Sequence, residues 1–105
     1  MITVIIKNPG VEPFVYEMQN GLDNLQKMVG GFIEAPMVGV ADVPYASLFC
    51  NEEGKLLGLE PNIRFYDDYI VGPVVVAGGD EEGETISLTP EQIAPIMNWL
   101  NARAV

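Results

Sequence analysis

The feature that most limits the fold is a continuous apolar run, Val74 to Ala77. A strand that is apolar at every position, and not only at alternate positions, is typical of a central strand covered on both faces. Such a strand needs neighbouring strands beside it and packed layers above and below it. The sequence therefore predicts a sheet built around residues 74–77.

Shorter segments can supply the neighbouring strands. Residues 2–7 are β-branched, residues 8–10 form a turn, and residues 14–18 alternate in a pattern typical of a β-hairpin. The aromatic face of this hairpin, with Phe14 and Tyr16, is expected to point inward. Further strands are predicted at 32–38, 45–50 and 85–88, with a short strand or irregular segment at 63–66, a loop at 39–44 and an exposed loop at 78–84. Pro36 favours an edge position for the strand at 32–38.

Two segments carry apolar residues at helical spacing. The first contains Leu22, Leu25, Met28 and Val29 and ends at the glycine pair 30–31. Its apolar stripe is expected to pack on the sheet.

The second helix begins with Thr89 as N-cap, Pro90 at the first position and Gln92 completing a capping box. Its stripe consists of Ile93, Ile96, Met97 and Leu100, and Pro95 is expected to kink or divide it. Together the elements predict one α+β domain over residues 1–105, with an antiparallel or mixed sheet of five or six strands and two helices packed against it.

Charge and length exclude several classes of protein. The 105 residues carry a formal net charge of -10, from fifteen acidic and five basic side chains. Direct binding of nucleic acid by phosphate neutralisation is therefore not expected. No stretch reaches the roughly 18 to 20 apolar residues that span a bilayer, and no secretory signal is recognisable. We expect a cytoplasmic protein without a membrane partner that folds alone or as a homo-oligomer.

The side chains of common catalytic and metal centres are missing. The chain has no histidine and one cysteine, Cys50, and it contains no phosphate-binding or metal-binding motif. Cys50 ends an apolar strand and is expected to be a buried structural thiol. The acidic loop at 80–84 lacks the ligand spacing of a calcium loop. The sequence predicts no enzyme activity, no metal and no cofactor.

The central segment, residues 51–66, favours a binding surface. Its turns could bring Asn51, Asn62 and Arg64 together, with Lys55 nearby and Tyr66 available to stack on a planar ligand. Three simpler interpretations stay open at this point. The asparagines and glycines here could serve only as turn formers, and Arg64 could pair with an aspartate at 67 or 68. Phe65, Tyr66 and Tyr69 could likewise belong to an ordinary core.

Several segments resemble a known family. They are NGLDNLQKMVGGFIE (20–34), CNEEGKLLGLEPN (50–62), IVGPV leading to VVVAGG (70–79) and SLTPEQI (87–93). In order and spacing they are similar to a family of small domains of unknown function encoded by phages, plasmids and other mobile elements of Gram-positive bacteria. This sequence departs from that pattern at 37–44 and at Pro95. The resemblance implies a setting in the host cell cytoplasm and no activity.

Three functions are compatible with these observations. The first is a small-molecule binding module, which in the setting that the resemblance implies could sequester a nucleotide-derived immune signal of the host. Asn51, Lys55, Asn62, Arg64 and Tyr66 are its candidate ligand-binding residues. The second is an acidic inhibitor that binds a host nucleic-acid-binding or defence protein. The third, an enzyme, is disfavoured because every common nucleophile–base or metal arrangement is missing. We favour the first, because generic acidity does not explain the pattern of asparagine, glycine and arginine in the central segment.

Overall fold

The predicted apolar strand is the centre of an antiparallel sheet. The structure, a computed structural model, describes residues 1–105. It contains, in chain order, β1 (Ile2–Lys7), β2 (Phe14–Met18), α1 (Leu22–Val29), β3 (Ile33–Val38), β4 (Ser47–Asn51), β5 (Pro61–Phe65), β6 (Asp68–Val71), β7 (Val74–Gly79), β8 (Thr85–Ile86) and α2 (Pro90–Arg103). Five strands lie in the order β2-β1-β7-β4-β3, β8 pairs with β7 as a sixth, and β5 and β6 form a separate hairpin. The α+β class is confirmed.

Strand β7 is covered on both faces, as its sequence predicts. Val74 and Val76 belong to a core of thirteen buried residues that also contains Ile96 and Leu100 of α2. Val75 and Ala77 belong to a second core of eight residues that contains two residues of α1. Successive side chains of a strand point to opposite faces, so each helix occupies one side of the sheet.

The stripe of the first helix is only partly buried. Leu25 and Val29 are buried, as expected. Leu22 is 58 % exposed, so the expectation that this residue packs on the sheet is wrong. Helix α1 has eight residues and contacts β3, β4 and β7. Leu22, the first residue of α1, lies outside the part of the sheet that the helix covers.

The hairpin of β1 and β2 forms, but its aromatic face does not point inward. Ile5 pairs with Val15, and Met18 is buried. Phe14 and Tyr16 are nevertheless exposed. The reason is topological, because β2 lies at the sheet edge and the short α1 packs on the strands nearer the other edge.

Helix α2 runs unbroken past its internal proline. The capping box of Thr89 and Gln92 is present, and the helix continues to Arg103. A division of the helix at Pro95 is therefore wrong, and the alternative, a kink, stays a prediction. A proline removes the hydrogen bond to the carbonyl four residues earlier and crowds that carbonyl. Here the carbonyl belongs to Glu91, an exposed residue. Buried Ile96 and Leu100 hold the following turns on the sheet.

The remaining predictions concern edges and loops. Strand β3 is an edge strand, and its register shifts between Glu34 and Met37, on either side of Pro36. Residues 40–42 form a single 3-10 turn within the predicted loop. Strand β6 was not predicted. No helix of the structure is both long enough and apolar enough to cross a membrane.

Candidate functional site

A bulge in β5 turns Asn62 into the protein interior. Pro61 pairs with Val71 and Ile63 with Ile70, so that Asn62 has no partner residue in β6. A bulge leaves one extra residue outside the regular pairing. Asn62 and Ile63 are consecutive, yet both are fully buried.

Both polar atoms of the buried Asn62 amide are hydrogen-bonded within the protein. Its Nδ2 donates to the carbonyls of Lys7 and Gly72, each at 2.8 Å. Its Oδ1 accepts from Lys7 Nζ at 2.9 Å. The side chain therefore joins β1, β5 and the β6–β7 turn, and no polar atom of it is left for a ligand.

Lys7 is the least expected residue of this network. Its side chain is 2 % exposed, and its ammonium group donates only to Asn62 Oδ1 and, at 3.2 Å, to the carbonyl of Asn8. Burial lowers its pKa from the ordinary value. Sequence alone could not reveal this, because a lysine that ends a strand is usually exposed.

Asn51 is also built into the fold. Its Nδ2 donates to the carbonyl of Val29 at 3.1 Å, and its Oδ1 accepts from the backbone N–H of Glu53 at 2.8 Å. The predicted turn is present, since the N–H of Gly54 donates to the Asn51 carbonyl. The Asn51 side chain thus ties the end of α1 to this turn.

Lys55 lies on a different surface from the other candidate cation. It forms a salt bridge with Asp68, and both side chains are 60 % exposed. The hydrogen bond from Lys55, together with that from the backbone N–H of Tyr69, holds the pKa of the Asp68 carboxyl below its usual range. They line a cleft of about 320 Å³ that also contains Cys50, Asn51 and Tyr69. The alternative, a salt bridge of Arg64 with Asp67 or Asp68, is not formed.

Cys50 at the base of that cleft is a buried thiol, as the sequence predicts. Its Sγ donates to Glu34 Oε1 at 3.7 Å. Burial, the charge of Glu34 and that hydrogen bond raise its pKa to about 12. The thiol is therefore protonated at neutral pH, which is the opposite of an activated nucleophile.

Both arginines of the chain meet at a second cleft. After α2, the chain runs antiparallel to β5, with a bridge between Ile63 and Ala104 and a 3.0 Å bond from the N–H of Val105 to the Asn62 carbonyl. This pairing sets Arg64 beside Arg103. We call the result the arginine cleft, a space of about 510 Å³ lined by Met37, Arg64, Phe65, Tyr66, Ala102 and Arg103.

The two guanidinium groups are not neutralised by carboxylates. The only salt bridge of the structure joins Lys55 and Asp68, and no acidic residue lines the arginine cleft. Arg103 lies over the ring of Trp99, 4.1 Å from its centroid, and its Nη1 donates to the Trp99 carbonyl at 3.3 Å. These contacts orient Arg103 while leaving further N–H groups free.

Tyr66 stands at the tip of the β5–β6 hairpin beside Arg64. Its side chain is 87 % exposed, and its backbone φ is 55°. A positive φ is costly for a residue with a bulky side chain, and turn positions of this kind favour glycine or asparagine. Its ring contacts Phe65 edge-on, with 4.7 Å between centroids. Tyr66 therefore combines a strained backbone conformation with a ring that is exposed to solvent.

The structure thus separates the five residues that the sequence suggests as a site. Arg64 and Tyr66 lie together, Lys55 lies at the other cleft, and the amides of Asn51 and Asn62 bond within the fold. Arg103 was missed, because 39 positions separate it from Arg64 and only the pairing after α2 joins them.

Comparison with known proteins gives one match. A family model described as Domain of unknown function (DUF3846) covers residues 2–101. No curated protein and no solved structure matches the chain.

Proposed function

The chain belongs to this family of domains of unknown function, and from that premise we propose that it is a non-enzymatic protein that binds a planar, anionic, nucleotide-like small molecule in the arginine cleft. One observation carries the proposal. Two arginines without carboxylate partners line the same space as a strained, exposed tyrosine. Guanidinium groups make bidentate bonds to phosphate, and an aromatic ring stacks on a base.

The net charge of the protein is the main objection to an anionic ligand. A charge of -10 repels anions at a distance. Within the arginine cleft, however, the lining residues supply two positive charges and no negative charge. Interactions at contact distance are screened less than those across the surface, so the local charge decides binding.

The biological setting of this proposal comes from the resemblance alone. Origin in a phage or mobile element, a cytoplasmic location and sequestration of a host immune signal stay predictions. They are consistent with a protein that binds a small molecule and lacks the side chains of common catalytic centres.

The alternative, an acidic inhibitor of a host protein, has its own support. Of the five basic side chains, Lys7 is buried and Lys55 is paired with Asp68. Only Lys27, Arg64 and Arg103 are then free to offset fifteen acidic residues. The surface away from the arginine cleft is accordingly strongly acidic.

Calorimetry with a panel of nucleotides tests the small-molecule proposal. We expect Arg64→Gln to weaken binding by about 10- to 100-fold, the equivalent of one charged hydrogen-bonding contact. Arg64→Lys should weaken it less, because it keeps the charge but not the planar fork. The matched control is Lys27→Gln, which removes the same charge from an exposed residue of α1 outside the cleft.

Two results would contradict the proposal. Equal losses in Arg64→Gln and Lys27→Gln would show that only net charge matters. If no nucleotide of the panel binds the folded wild type, the assignment of a nucleotide-like ligand fails.

A further inference from the structure

Three large apolar side chains stand exposed around the turn after β4. Phe32 is 64 % exposed, Leu56 is 86 % exposed and Leu57 is 60 % exposed. Phe32 and Leu57 line one depression of about 250 Å³ together with Glu53, whereas Leu56 lines the adjoining cleft of Lys55, which shares Asn51 with this depression. We call Phe32, Leu56 and Leu57 the leucine patch. Single exposed apolar residues are ordinary, but neighbouring ones mark interaction sites.

The turn that carries the leucine patch is held in place. The N–H of Leu57 donates to the Glu53 carbonyl at 2.9 Å, and the N–H of Leu59 donates to the Gly54 carbonyl at 3.0 Å. Leu59 packs closely against Gly72, where even a methyl group would collide with it. One leucine therefore anchors the turn to the body, and the two others project from a fixed backbone.

Acidic residues flank the leucine patch in the sequence, and Glu53 lines the same depression as Phe32 and Leu57. Glu52, Glu53 and Glu60 are exposed within the same turn segment. Lys55, the cation inside that segment, is paired with Asp68. Lys27, in the last turn of α1, is the basic residue that precedes Phe32 in the sequence. A ligand for this surface must combine apolar side chains with positive charge.

We propose that the leucine patch is a docking surface for a positively charged amphipathic helix of a partner protein. Such a helix presents an apolar stripe to the leucines and basic side chains to the flanking glutamates. A second copy of this chain fits less well, because its net charge of -10 would oppose the contact. The inference is independent of ligand binding at the arginine cleft, since Phe32 and Leu57 line a different space.

A synthetic helical peptide of about 18 residues, built from leucine and lysine with the leucines on one face, tests the surface. Binding to the wild-type chain is measured by calorimetry and by NMR shifts of residues 32 and 56–57. We expect the double variant Leu56→Ser/Leu57→Ser to bind about tenfold more weakly or worse, as for the loss of anchor residues in an interface. The control is Leu22→Ser, a similarly exposed leucine on α1, which should change affinity by less than about twofold.

A scrambled peptide of the same composition separates docking from plain charge attraction. It keeps the lysines but has no apolar stripe, and we expect it to bind about tenfold more weakly than the ordered peptide. Equal binding of both peptides, or equal losses in the double variant and Leu22→Ser, would overturn the proposal. So would sedimentation showing a wild-type dimer that Leu56→Ser/Leu57→Ser dissociates, because a second copy would then occupy the patch.

Discussion

Strand β5 carries two polar clusters that differ in what their cations contact. On its inner side, Asn62 bonds to the ammonium group of Lys7, and every polar atom of the pair has a partner. On its outer side, Arg64 lies beside Arg103 with no carboxylate on either. Each cluster contains at least one cation. We call the cluster of Lys7 and Asn62 the closed cluster, because its polar atoms all have partners within the protein. We call Arg64 and Arg103 the open cluster, because no carboxylate pairs with them.

This contrast separates structural polar residues from available ones. A buried cation held by neutral oxygens contributes to the fold only while its network is complete. An exposed cation without a partner contributes little to stability and can bind a ligand at small cost. Substitutions in the closed cluster should therefore lower the stability of the fold, whereas substitutions in the open cluster should weaken ligand binding and change stability little.

The largest expected effect is that of Asn62→Ala. It leaves the buried Lys7 ammonium with only the carbonyl of Asn8 as acceptor and removes a donor from the carbonyls of Lys7 and Gly72. We therefore expect a loss of about 3 kcal/mol or more in the free energy of unfolding. Urea denaturation measures it. The control Asn98→Ala removes an exposed amide of α2 and should stay within about 0.5 kcal/mol of wild type. A similar small change in Asn62→Ala would show that the closed cluster is dispensable.

The next effect is a pH dependence that requires Lys7. Because its pKa in the folded protein lies below the ordinary 10.5, the unfolded chain binds more protons between these two values. Stability should therefore rise with pH across that window and level off above 10.5. The difference in unfolding free energy between wild type and Lys7→Met should show this rise. Taking the difference cancels the contribution of tyrosine titration, which is common to both proteins.

Lys27→Met is the matched control for that experiment, since Lys27 is exposed. Its difference from wild type should be flat over the same window. A rise of equal size in both variants would mean that the burial of Lys7 does not govern its titration.

The smallest expected effect concerns strain at the open cluster. At Tyr66, with φ at 55°, glycine should be more stable than alanine by about 1 kcal/mol, because glycine tolerates the left-handed region. Tyr66→Gly and Tyr66→Ala should both weaken nucleotide binding, since both remove the ring. Thermal unfolding and calorimetry measure the two quantities. If Tyr66→Gly is no more stable than Tyr66→Ala, the backbone at Tyr66 is not strained.

The sequence anticipated the elements better than the candidate site. Apolar runs and caps placed β1, β7 and both helices, because such patterns depend on neighbouring residues in the chain. Three predictions were wrong: that the aromatic face of β2 points inward, that Leu22 is buried, and that Pro95 divides α2. Each depends on which surface a distant element covers, and the sequence pattern does not contain that information.

By itself, the sequence determined the α+β class, the central position of β7 and the turn at residues 51–54. These follow from local periodicity, from turn chemistry and from the need to cover an apolar strand. Only the tertiary structure decided which polar residues are available. The β5 bulge turned Asn62 inward onto Lys7, and pairing after α2 brought Arg103 to Arg64. Both results require contacts between residues far apart in the chain, where the identity of a side chain does not reveal its partners.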